Sequence, residues 1–502
     1  MISNVISLPI ILPLFFAILT IAFHSKSKKI IRTINLIGAI SLLASSIWII
    51  VLVHDYKILT LYVGSWLAPF GIALMADFLS TAMLLISSII FFTTSIYSLN
   101  FIDEEREKLF YYPMLQILMM GVNGSFLTND IFNLYVWYEV MLISSFVLIS
   151  LGGTKEQFEG GIKYVTINLL ASTFFLVSIA FIYGIYGSLN MTDIAFKVKS
   201  SDNDFLNYSI SFLLLTSFGV KSALFPLFFW LPASYHVAPI SISSIFAGLL
   251  TKVGVYSIIR VFTLIFNAKL DILFSTIILL SALTMLIGVF GAASQMDIRR
   301  ILSFHIISQI GYMTIGLGIL TQLSLAAAIF YVIHHIIVKT NLFYVAGIVD
   351  KLQNNFHLRK LGYIYKNHPM IGLLFLIPAF SLAGIPPLSG FWAKFLIIKS
   401  AFNANYYFYG SIALFVGILT LFSMIKIWNE AFWKKNSQAL SEDYCLSLSY
   451  TQKFIILLPS IILAAITLLI GLFPDFFFKF ADEASRQLLN QNFYFEKILG
   501  KL

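Results

Sequence analysis

The sequence predicts an all-α polytopic membrane protein with about fourteen transmembrane helices. Hydrophobic residues make up 59% of the 502 residues and charged residues only 11%, and the mean hydropathy is +0.91. Apolar runs recur from one end of the chain to the other, and each has the length of about 20 residues that crosses a bilayer. The runs do not alternate apolar and polar residues, which excludes the strands of an outer-membrane barrel.

The predicted spans follow one another without a linker rich in proline, glycine or serine, so we expect residues 1–502 to form a single membrane domain. The first run lacks a charged leader and a small-residue cleavage site, and we interpret it as a span and not as a signal peptide. Residues 475–502 mix aromatic and charged side chains, which predicts a helix at the membrane interface or one packed against a partner. The spans are placed at 3–23, 30–53, 72–99, 110–128, 130–151, 160–187, 206–232, 239–266, 270–295, 300–320, 324–349, 370–400, 405–432 and 452–474.

Lysine and arginine are concentrated in one of the two sets of alternate loops. The rich set contains Lys26, Lys28, Lys29, Arg32, Arg106, Lys108, Lys155, Lys163, Arg299, Arg300, Lys351, Arg359, Lys360, Lys366, Lys434 and Lys435. The poor set contains Lys57, Lys197, Lys199 and Lys269. Cytoplasmic loops carry the excess of cations, so an even number of spans puts both termini outside the cytoplasm. The net charge of +9 is therefore a topology signal, and we expect no nucleic-acid partner.

The sequence offers no thiolate site for a metal or redox cofactor. Cys445 is the only cysteine, which excludes a disulfide framework and a thiolate-held iron–sulfur cluster within this chain. There is no GxxxxGK[ST] phosphate loop, no strand-linked GxGxxG and no HExxH zinc motif. We expect no cofactor, and a membrane-embedded redox enzyme is the least favoured class.

Two lysines lie inside spans that flank a proline-rich interruption. An ammonium group in the bilayer centre costs about 2.5–3.5 kcal/mol or more unless it has a partner, water or a function, and Lys221 and Lys252 both need such an explanation. The prolines between them are Pro226, Pro232 and Pro239. Proline breaks a helix, and the freed carbonyls must face protein or water. A charge beside a broken membrane helix indicates an ion path.

A second segment of the chain repeats this arrangement. Residues 379–428 contain Pro386 and Pro387, followed by Lys394 as Lys221 accompanies the first interruption. Lys399 lies nearer the end of its span, where its ammonium group can extend to the surface. Two broken helices in corresponding positions suggest internal repeats, which many transporters use in inverted orientation.

Glu139 is a lone carboxylate in an apolar span. A buried carboxylate is either protonated or paired with a cation from another helix, and Lys221 is the natural candidate. Such a pair can act as a switch, because a further charge nearby changes the proton affinity of both members. The alternative is that Glu139 only locks two helices together.

Lys252 lies eight residues before Arg260, about two helical turns from the span end, so it could reach the surface along the helix. Gly248 and Gly254 leave space around the lysine for a neighbouring helix or for water, which favours a buried role.

The segment FYVIHHIIVKTNLFYVAG contains a possible proton relay. His335 and Lys339 are four residues apart and lie on one helical face, and histidine passes protons through its two ring nitrogens. A metal site is the rival interpretation, but zinc requires further histidine or carboxylate ligands. For His334 a satisfied core histidine is the alternative, and His305 could extend the row from a neighbouring span.

Several long motifs carry a family resemblance: LFPLFFWLPASYHVAP, GLLTKVGVYSIIR, DIRRILSFHIISQIGYM, HHIIVKTNLF and GIPPLSGFWAKF. Over nearly its whole length the chain resembles the antiporter-like subunits shared by respiratory complex I and the Mrp (multiple resistance and pH) cation/proton antiporters. Within that family, LPASYH followed by GLLTKVGVY is similar to the D-type subunits of the Mrp branch, whereas complex I subunits more usually have Asp-Ala-His after Leu-Pro.

The resemblance implies fourteen spans, two inverted five-helix repeats at roughly 110–266 and 270–432, each with a broken helix, and a proton path near the middle of the membrane. Where complex I subunits often have a histidine in the tenth span this chain has Gln309, so a relay there would use His305 or water. The path residues that the resemblance implies are Glu139, Lys221, Lys252, His335, Lys339 and Lys394.

The expected function is that of a proton-conducting subunit in a multisubunit Na⁺/H⁺ antiporter of the bacterial cytoplasmic membrane, a secondary transporter and not an enzyme. Its expected partners are the other subunits of a hetero-oligomeric complex, protons, Na⁺ and the lipid bilayer. The first alternative is a proton-pumping subunit of an NADH:quinone oxidoreductase-like respiratory complex. The second is a scaffold whose charges only hold helices together.

Overall fold

The computed structural model describes residues 2–201, 203–266, 270–435 and 450–500, and most of them are helical. Lys269 and Cys445 lie outside the described residues. Eleven helices in the described ranges are long and apolar enough, by length and composition, to cross a membrane.

The helices before the first interruption are α1 (Leu8–Ala22), α2 (Lys28–Tyr56), α3 (Phe78–Phe101), α4 (Glu104–Lys108), α5 (Tyr111–Leu127), α6 (Ile131–Ser150), α7 (Lys155–Tyr186), α8 (Met191–Lys199) and α9 (Asp204–Ser222). The middle of the chain forms α10 (Trp230–Ser234), α11 (Ile240–Ile245), α12 (Thr251–Leu264), α13 (Asp271–Ser294), α14 (Ile298–Ile319) and α15 (Gln322–Gln353). The remainder forms α16 (Ile364–Asn367), α17 (Pro369–Ala383), α18 (Ser389–Asn403), α19 (Tyr407–Ile427), α20 (Tyr450–Leu472), α21 (Pro474–Leu489) and α22 (Gln491–Tyr494).

The eleven span-length helices coincide with eleven of the predicted spans. One of them runs from α11 through a π-helical turn at Phe246–Leu250 into α12. The three other predicted spans contain shorter helices: α5, the interrupted segment that begins with α9, and the pair α17 and α18. The membrane fold with broken helices is thus present, while the count of fourteen and the inverted repeats stay predictions.

The first predicted interruption begins at Ser222, where α9 ends one residue after Lys221. Ala223 has a left-handed conformation with φ of 62°, which turns the chain out of the helix. Side chains form hydrogen bonds with the backbone groups that the end of the helix leaves free. The indole N–H of Trp230 donates to the carbonyl oxygen of Val220 at 3.0 Å. The N–H of Phe225 donates to a threonine hydroxyl on α13 at 2.9 Å. These bonds satisfy polar backbone that lipid could not.

The second interruption separates α17 from α18 and depends on two glycines. Gly384 follows the last residue of α17 with φ of 94°, a conformation that favours glycine. A Cβ atom on Gly390 would lie 1.7 Å from the carbonyl oxygen of Ser381. Only glycine permits this approach, in which the Gly390 N–H donates to the Ser381 hydroxyl at 3.1 Å.

The all-α prediction missed a short ribbon outside the helical bundle. Strands β1 (Leu59–Tyr62) and β2 (Ala73–Ala76) pair antiparallel, with Leu59 opposite Ala76. Each strand has four residues, too few for alternation to stand out, and β2 merges in sequence with the apolar run that starts α3.

The C-terminal segment packs against the chain's own bundle. Helix α21 contacts α15 and α3, and the Gln487 side chain accepts from the Phe78 N–H at 3.1 Å and donates to the Lys57 carbonyl oxygen at 2.9 Å. Phe476, in the first turn of the same helix, is exposed. Its predicted position at the membrane interface stays a prediction.

A buried ion pair ties this segment to the end of α12. The guanidinium of Arg260 donates to both carboxylate oxygens of Asp77 at 2.6 and 2.7 Å, and the Tyr494 hydroxyl donates to the same carboxylate at 2.8 Å. All three side chains are at most 1% exposed. Asp77 also caps the first turn of α3, so one carboxylate joins three elements.

We predict that Asp77→Asn lowers the free energy of unfolding by about 3–5 kcal/mol, because it leaves the Arg260 charge buried without its partner. Glu159→Gln is the control, since it breaks an exposed pair with Lys163 worth about 0–1 kcal/mol. Thermal unfolding of the purified protein in detergent measures both changes. Equal losses of stability in the two variants would show that the buried ion pair contributes no more to the free energy of unfolding than the exposed pair.

Candidate functional site

The Lys221 side chain lies inside the bundle at the end of α9. It is 7% exposed, its ammonium donates to the Ser172 hydroxyl on α7 at 3.2 Å, and its nitrogen lies 5.4 Å from the ring centroid of Tyr138. A cavity of about 20 Å³ beside it has room for one water molecule. The Tyr138 hydroxyl donates a hydrogen bond to the Ser257 hydroxyl on α12 at 2.9 Å. Helices α6, α7, α9 and α12 therefore meet around this lysine.

The ion pair predicted between Glu139 and Lys221 is not formed in this structure. No salt bridge within 4.0 Å joins them among the described ion pairs, although their charges interact through space. Glu139 is half-buried, and its Oε1 atom is buried without a hydrogen-bond partner in the described chain. The Lys221 ammonium donates to Ser172 instead, a contact that sequence reasoning missed because a serine on a long apolar helix carries no distinct signal.

A polar face of α7 connects Lys221 with a surface cleft. Tyr164, Asn168 and Ser172 recur every four residues and are all buried. The cleft at the other end of this face has a volume of about 400 Å³ and is lined at that point by Gly160 and His236. The four-residue spacing could have indicated this face from the sequence.

The cleft has charged and titratable walls. Its polar lining residues are Glu156, Glu159, Lys163, His236, Gln295 and Arg300. His236 Nδ1 lies 2.7 Å from the Pro232 carbonyl oxygen, and its Nε2 atom lies 3.2 Å from an Arg300 guanidinium nitrogen. Burial, with the Arg300 charge in second place, lowers the pKa of His236 to about 4. At neutral pH this histidine is uncharged and can accept the Arg300 proton in a hydrogen bond.

Lys252 is fully buried and serves as a backbone cap. Its ammonium donates to the carbonyl oxygen of Ala247 in the π-helical turn, where the wider spacing leaves carbonyls without their usual partners. A Cβ atom on Gly248 in the same turn would lie 2.3 Å from the Thr340 hydroxyl of α15. The glycine therefore brings this turn directly against the helix that carries His335 and Lys339, and extension of Lys252 to the surface is excluded.

His335, Lys339 and His305 form an unpaired buried group between α14 and α15. All three are 0% exposed. Both ring nitrogens of each histidine and the Lys339 ammonium have no hydrogen-bond partner in the described part of the chain, although their charges interact with one another and with Lys252. Buried polar groups are normally bonded to protein or ordered water. Such a row of atoms can transfer protons through water, as the predicted relay requires.

His334 belongs to the second interruption and not simply to the apolar core. Its Nδ1 atom lies 2.8 Å from the Ser389 hydroxyl at the start of α18, and Ser389 lies 2.9 Å from the Ser381 hydroxyl. Its Nε2 atom is buried and unbonded among the described residues. His334 and His335 have similar surroundings in the sequence, and only the packing of α15 against α18 distinguishes them.

Lys394 is 6% exposed and lies one turn into α18. Its ammonium donates to the Ala383 carbonyl oxygen at 3.2 Å and lies 5.0 Å from the ring centroid of Tyr312. Tyr312 stacks on Tyr331 at 5.2 Å, and the Tyr331 hydroxyl donates to Gln309. Gln309 therefore belongs to a series of contacts that runs through Tyr331 and Tyr312 to Lys394.

No group of three or more His, Cys, Asp or Glu side chains in the described ranges could hold a metal ion. The arrangement consists instead of single titratable groups, one or two to a helix, from the cleft to the second interruption. Its chemistry is acid–base chemistry.

Comparison with known proteins places this arrangement in a family. A sequence model described as NADH:quinone oxidoreductase/Mrp antiporter, transmembrane, matches residues 128–422. The chain is 44% identical to the D-type Na⁺/H⁺ antiporter subunit of Alkalihalophilus pseudofirmus OF4, covering 99% of each chain. It belongs to the NADH:quinone oxidoreductase/Mrp antiporter family. The family match contains both interruptions and every predicted path residue.

Further members of the family support the same assignment. The D-type Na⁺/H⁺ antiporter subunit of Bacillus subtilis is 38% identical over 99% of each chain. A chain of the Mrp complex from Dietzia sp. DQ12-45-1b superposes with a TM-score of 0.91 at 29% identity, covering 100% of both chains. A chain of the archaeal membrane-bound sulfane sulfur reductase, a respiratory complex, superposes with a TM-score of 0.88 at 26% identity, covering 98% of this chain and 99% of that one.

In this family member, Gly254 sets the distance between α12 and the broken end of α9. A Cβ atom there would lie 2.7 Å from the backbone nitrogen of Ser222. We predict that Gly254→Ala lowers the free energy of unfolding by about 1–3 kcal/mol through overpacking. Gly184→Ala is the matched control: no atom lies within 4 Å of its Cβ position, so alanine should stabilise α7 by about 0.5–1 kcal/mol. Thermal unfolding in detergent tests the opposite signs, and a Gly254 variant as stable as the control would contradict the close approach.

Proposed function

We propose that this chain is the proton-conducting subunit of a multisubunit Na⁺/H⁺ antiporter, a secondary transporter of the bacterial cytoplasmic membrane. The observation that carries the proposal is the series of buried titratable groups, most of them without a counter-charge among the described residues, that borders both helix interruptions. The full-length similarity to two D-type Na⁺/H⁺ antiporter subunits supports the same cation and the same assembly with other subunits.

The proposed path begins at the cleft between α7 and α14. The loops around it belong to the lysine- and arginine-rich set, so the cleft faces the cytoplasm and both termini lie on the other side. Protons reach Lys221 along the polar face of α7, by way of Tyr164, Asn168 and Ser172. The 20 Å³ cavity at Lys221 supplies the space for a bridging water.

Beyond Lys221 the path turns into the centre of the bundle. Protons pass to Lys252, then to His335 with Lys339, and finally to Lys394 at the second interruption. Lys252 and Lys394 each donate to a carbonyl freed by irregular backbone. An amine keeps that bond in both protonation states, so these lysines can exchange protons without losing their position.

Glu139 influences this path through its distance from Lys221, because a nearby carboxylate raises the proton affinity of the lysine. In the present arrangement the lysine is bonded to Ser172, and the carboxylate oxygen Oε1 has no partner among the described residues. Rotation of the Lys221 side chain toward Glu139 would form the predicted ion pair and raise the proton affinity of the lysine. Opening and closing of this pair is the proposed switch.

A second candidate function is favoured by the structural similarity to a chain of an archaeal respiratory complex. The same proton path would then be driven by redox chemistry in other subunits. Co-purification from the native membrane separates the two candidates: small antiporter subunits as companions support the first, and iron–sulfur or flavin subunits support the second.

We predict that Lys221→Ala abolishes Na⁺/H⁺ exchange while the complex still assembles, because the path loses its first buried acceptor. Lys399→Ala is the matched control, since this lysine lies on α18 with an exposed side chain. Dequenching of a pH-sensitive dye on addition of Na⁺ to everted vesicles measures exchange, and co-purification measures assembly. Normal exchange in the Lys221 variant would refute the proton path.

We further predict that His335→Gln slows exchange about a hundredfold or more, the usual contribution of a positioned acid–base group. Glutamine keeps the polar bulk of the side chain but cannot relay a proton, so thermal stability should change little. His334→Gln is the neighbouring control, because glutamine can keep the bond to Ser389 and this histidine lies outside the proposed path. The same vesicle assay compares the two variants, and equal slowing in both would show that the relay does not pass through His335 in particular.

A further inference from the structure

A cavity at the second interruption opens on the outer face of the bundle. It lies between α18 and α19 and the end of α17 and has a volume of about 300 Å³, the lower end of the range for small-molecule sites. Three residues of its lining, Phe395, Leu414 and Ile418, are exposed large hydrophobic side chains. These side chains face away from the helical bundle, so in the described chain the cavity is accessible from the side.

Among the described residues, Lys394 is the only polar side chain that lines this cavity. Its ammonium has three donors and one hydrogen-bond partner in the described chain, the Ala383 carbonyl oxygen. Gly417 forms the opposite wall: a Cβ atom there would lie 3.9 Å from the Lys394 nitrogen and 3.8 Å from the Tyr312 hydroxyl. A ligand head at this point would meet an ammonium with donors to spare, surrounded by hydrocarbon.

The depth of the lysine restricts the ligand. Helices α17 and α18 have 15 residues each, which is about 22 Å per helix, against a hydrocarbon core of about 30 Å. The break between them, and Lys394 one turn beyond it, therefore lie near the middle of the core. A phospholipid keeps its phosphate at the membrane surface. The protonated form of a long-chain carboxylic acid is uncharged and can reach this depth.

We propose that the cavity binds a free fatty acid from the bilayer, with its carboxyl group at Lys394 and its chain along Phe395, Leu414 and Ile418. When Lys394 is in its neutral amine form, the protonated acid transfers its O–H proton to the lysine nitrogen, which leaves a carboxylate paired with an ammonium. Charge-assisted hydrogen bonds of this kind are about twice as strong as neutral ones. Binding itself is independent of the proposed function. Its consequence, that the last lysine of the path is held charged and proton conduction stops, rests on that function.

Photolabelling tests the site on the intact multisubunit complex in phosphatidylcholine vesicles, with a fatty acid that carries a diazirine in mid-chain. We expect saturable labelling of α18 and α19, found by peptide mass spectrometry. Oleic acid should compete at least about tenfold better than methyl oleate, the difference that a charged hydrogen bond supplies. Gly417→Leu, which fills the cavity, should lose the label, and the matched Gly184→Leu on the outer face of α7 should keep it.

Lys394→Met provides a second test, which remains valid even if Gly417→Leu disturbs folding. It keeps the apolar walls and removes the ammonium, so oleic acid and methyl oleate should compete equally. Three outcomes would overturn the proposal: equal competition by acid and ester in the wild-type complex, competition by phosphatidylglycerol as strong as that by oleic acid, and labelling of the separated chain but not of the intact complex. The last would mean that a neighbouring subunit covers the cavity. Because labelling does not require transport, failure here leaves the antiporter proposal standing.

Discussion

Two helices of this protein stop in the middle of the bundle, and the backbone groups they leave behind must be satisfied without water from the membrane. Side-chain groups do this at both places. Trp230 and a threonine of α13 complete the turn after α9, and Ser381 completes the turn before α18. These bonds fix the broken ends of the helices inside the bundle.

In the proposed function, the lysines connect this backbone requirement with proton transfer. Lys252 donates to Ala247 in a π-helical turn, and Lys394 donates to Ala383 at the end of α17. Lys221 instead donates to Ser172, a side chain that can rotate. Two lysines are thus held by backbone and one by a hydroxyl. In the proposed switch, Lys221 is therefore the lysine whose side chain moves.

Helix α12 shows how differently two buried cations are treated eight residues apart. Arg260 has a bidentate carboxylate, a tyrosine and a capped helix around it, so its charge is fixed and its role is to hold the C-terminal segment and α3 together. Lys252 has a carbonyl and no carboxylate among the described contacts, and lies against the helix that carries His335 and Lys339. A charge with a fixed partner stabilises a fold, whereas one without a partner is available to titrate. The sequence alone could not separate these two roles.

The sequence by itself determined the membrane class, the interruptions after Lys221 and before Lys394, and the identity of the buried titratable groups, because length, proline and isolated charge are local properties. The ion pair that the sequence predicted between Glu139 and Lys221 is not formed. Sequence reasoning also missed Ser172, the polar face of α7 and the four-residue strands. Only the tertiary structure decided that His334 joins Ser389 while His335 has no partner among the described residues, and that Lys394 lines a lateral cavity. The physical reason is that the contacts of a side chain depend on which helices pack against its face of the helix, and those helices are distant in sequence.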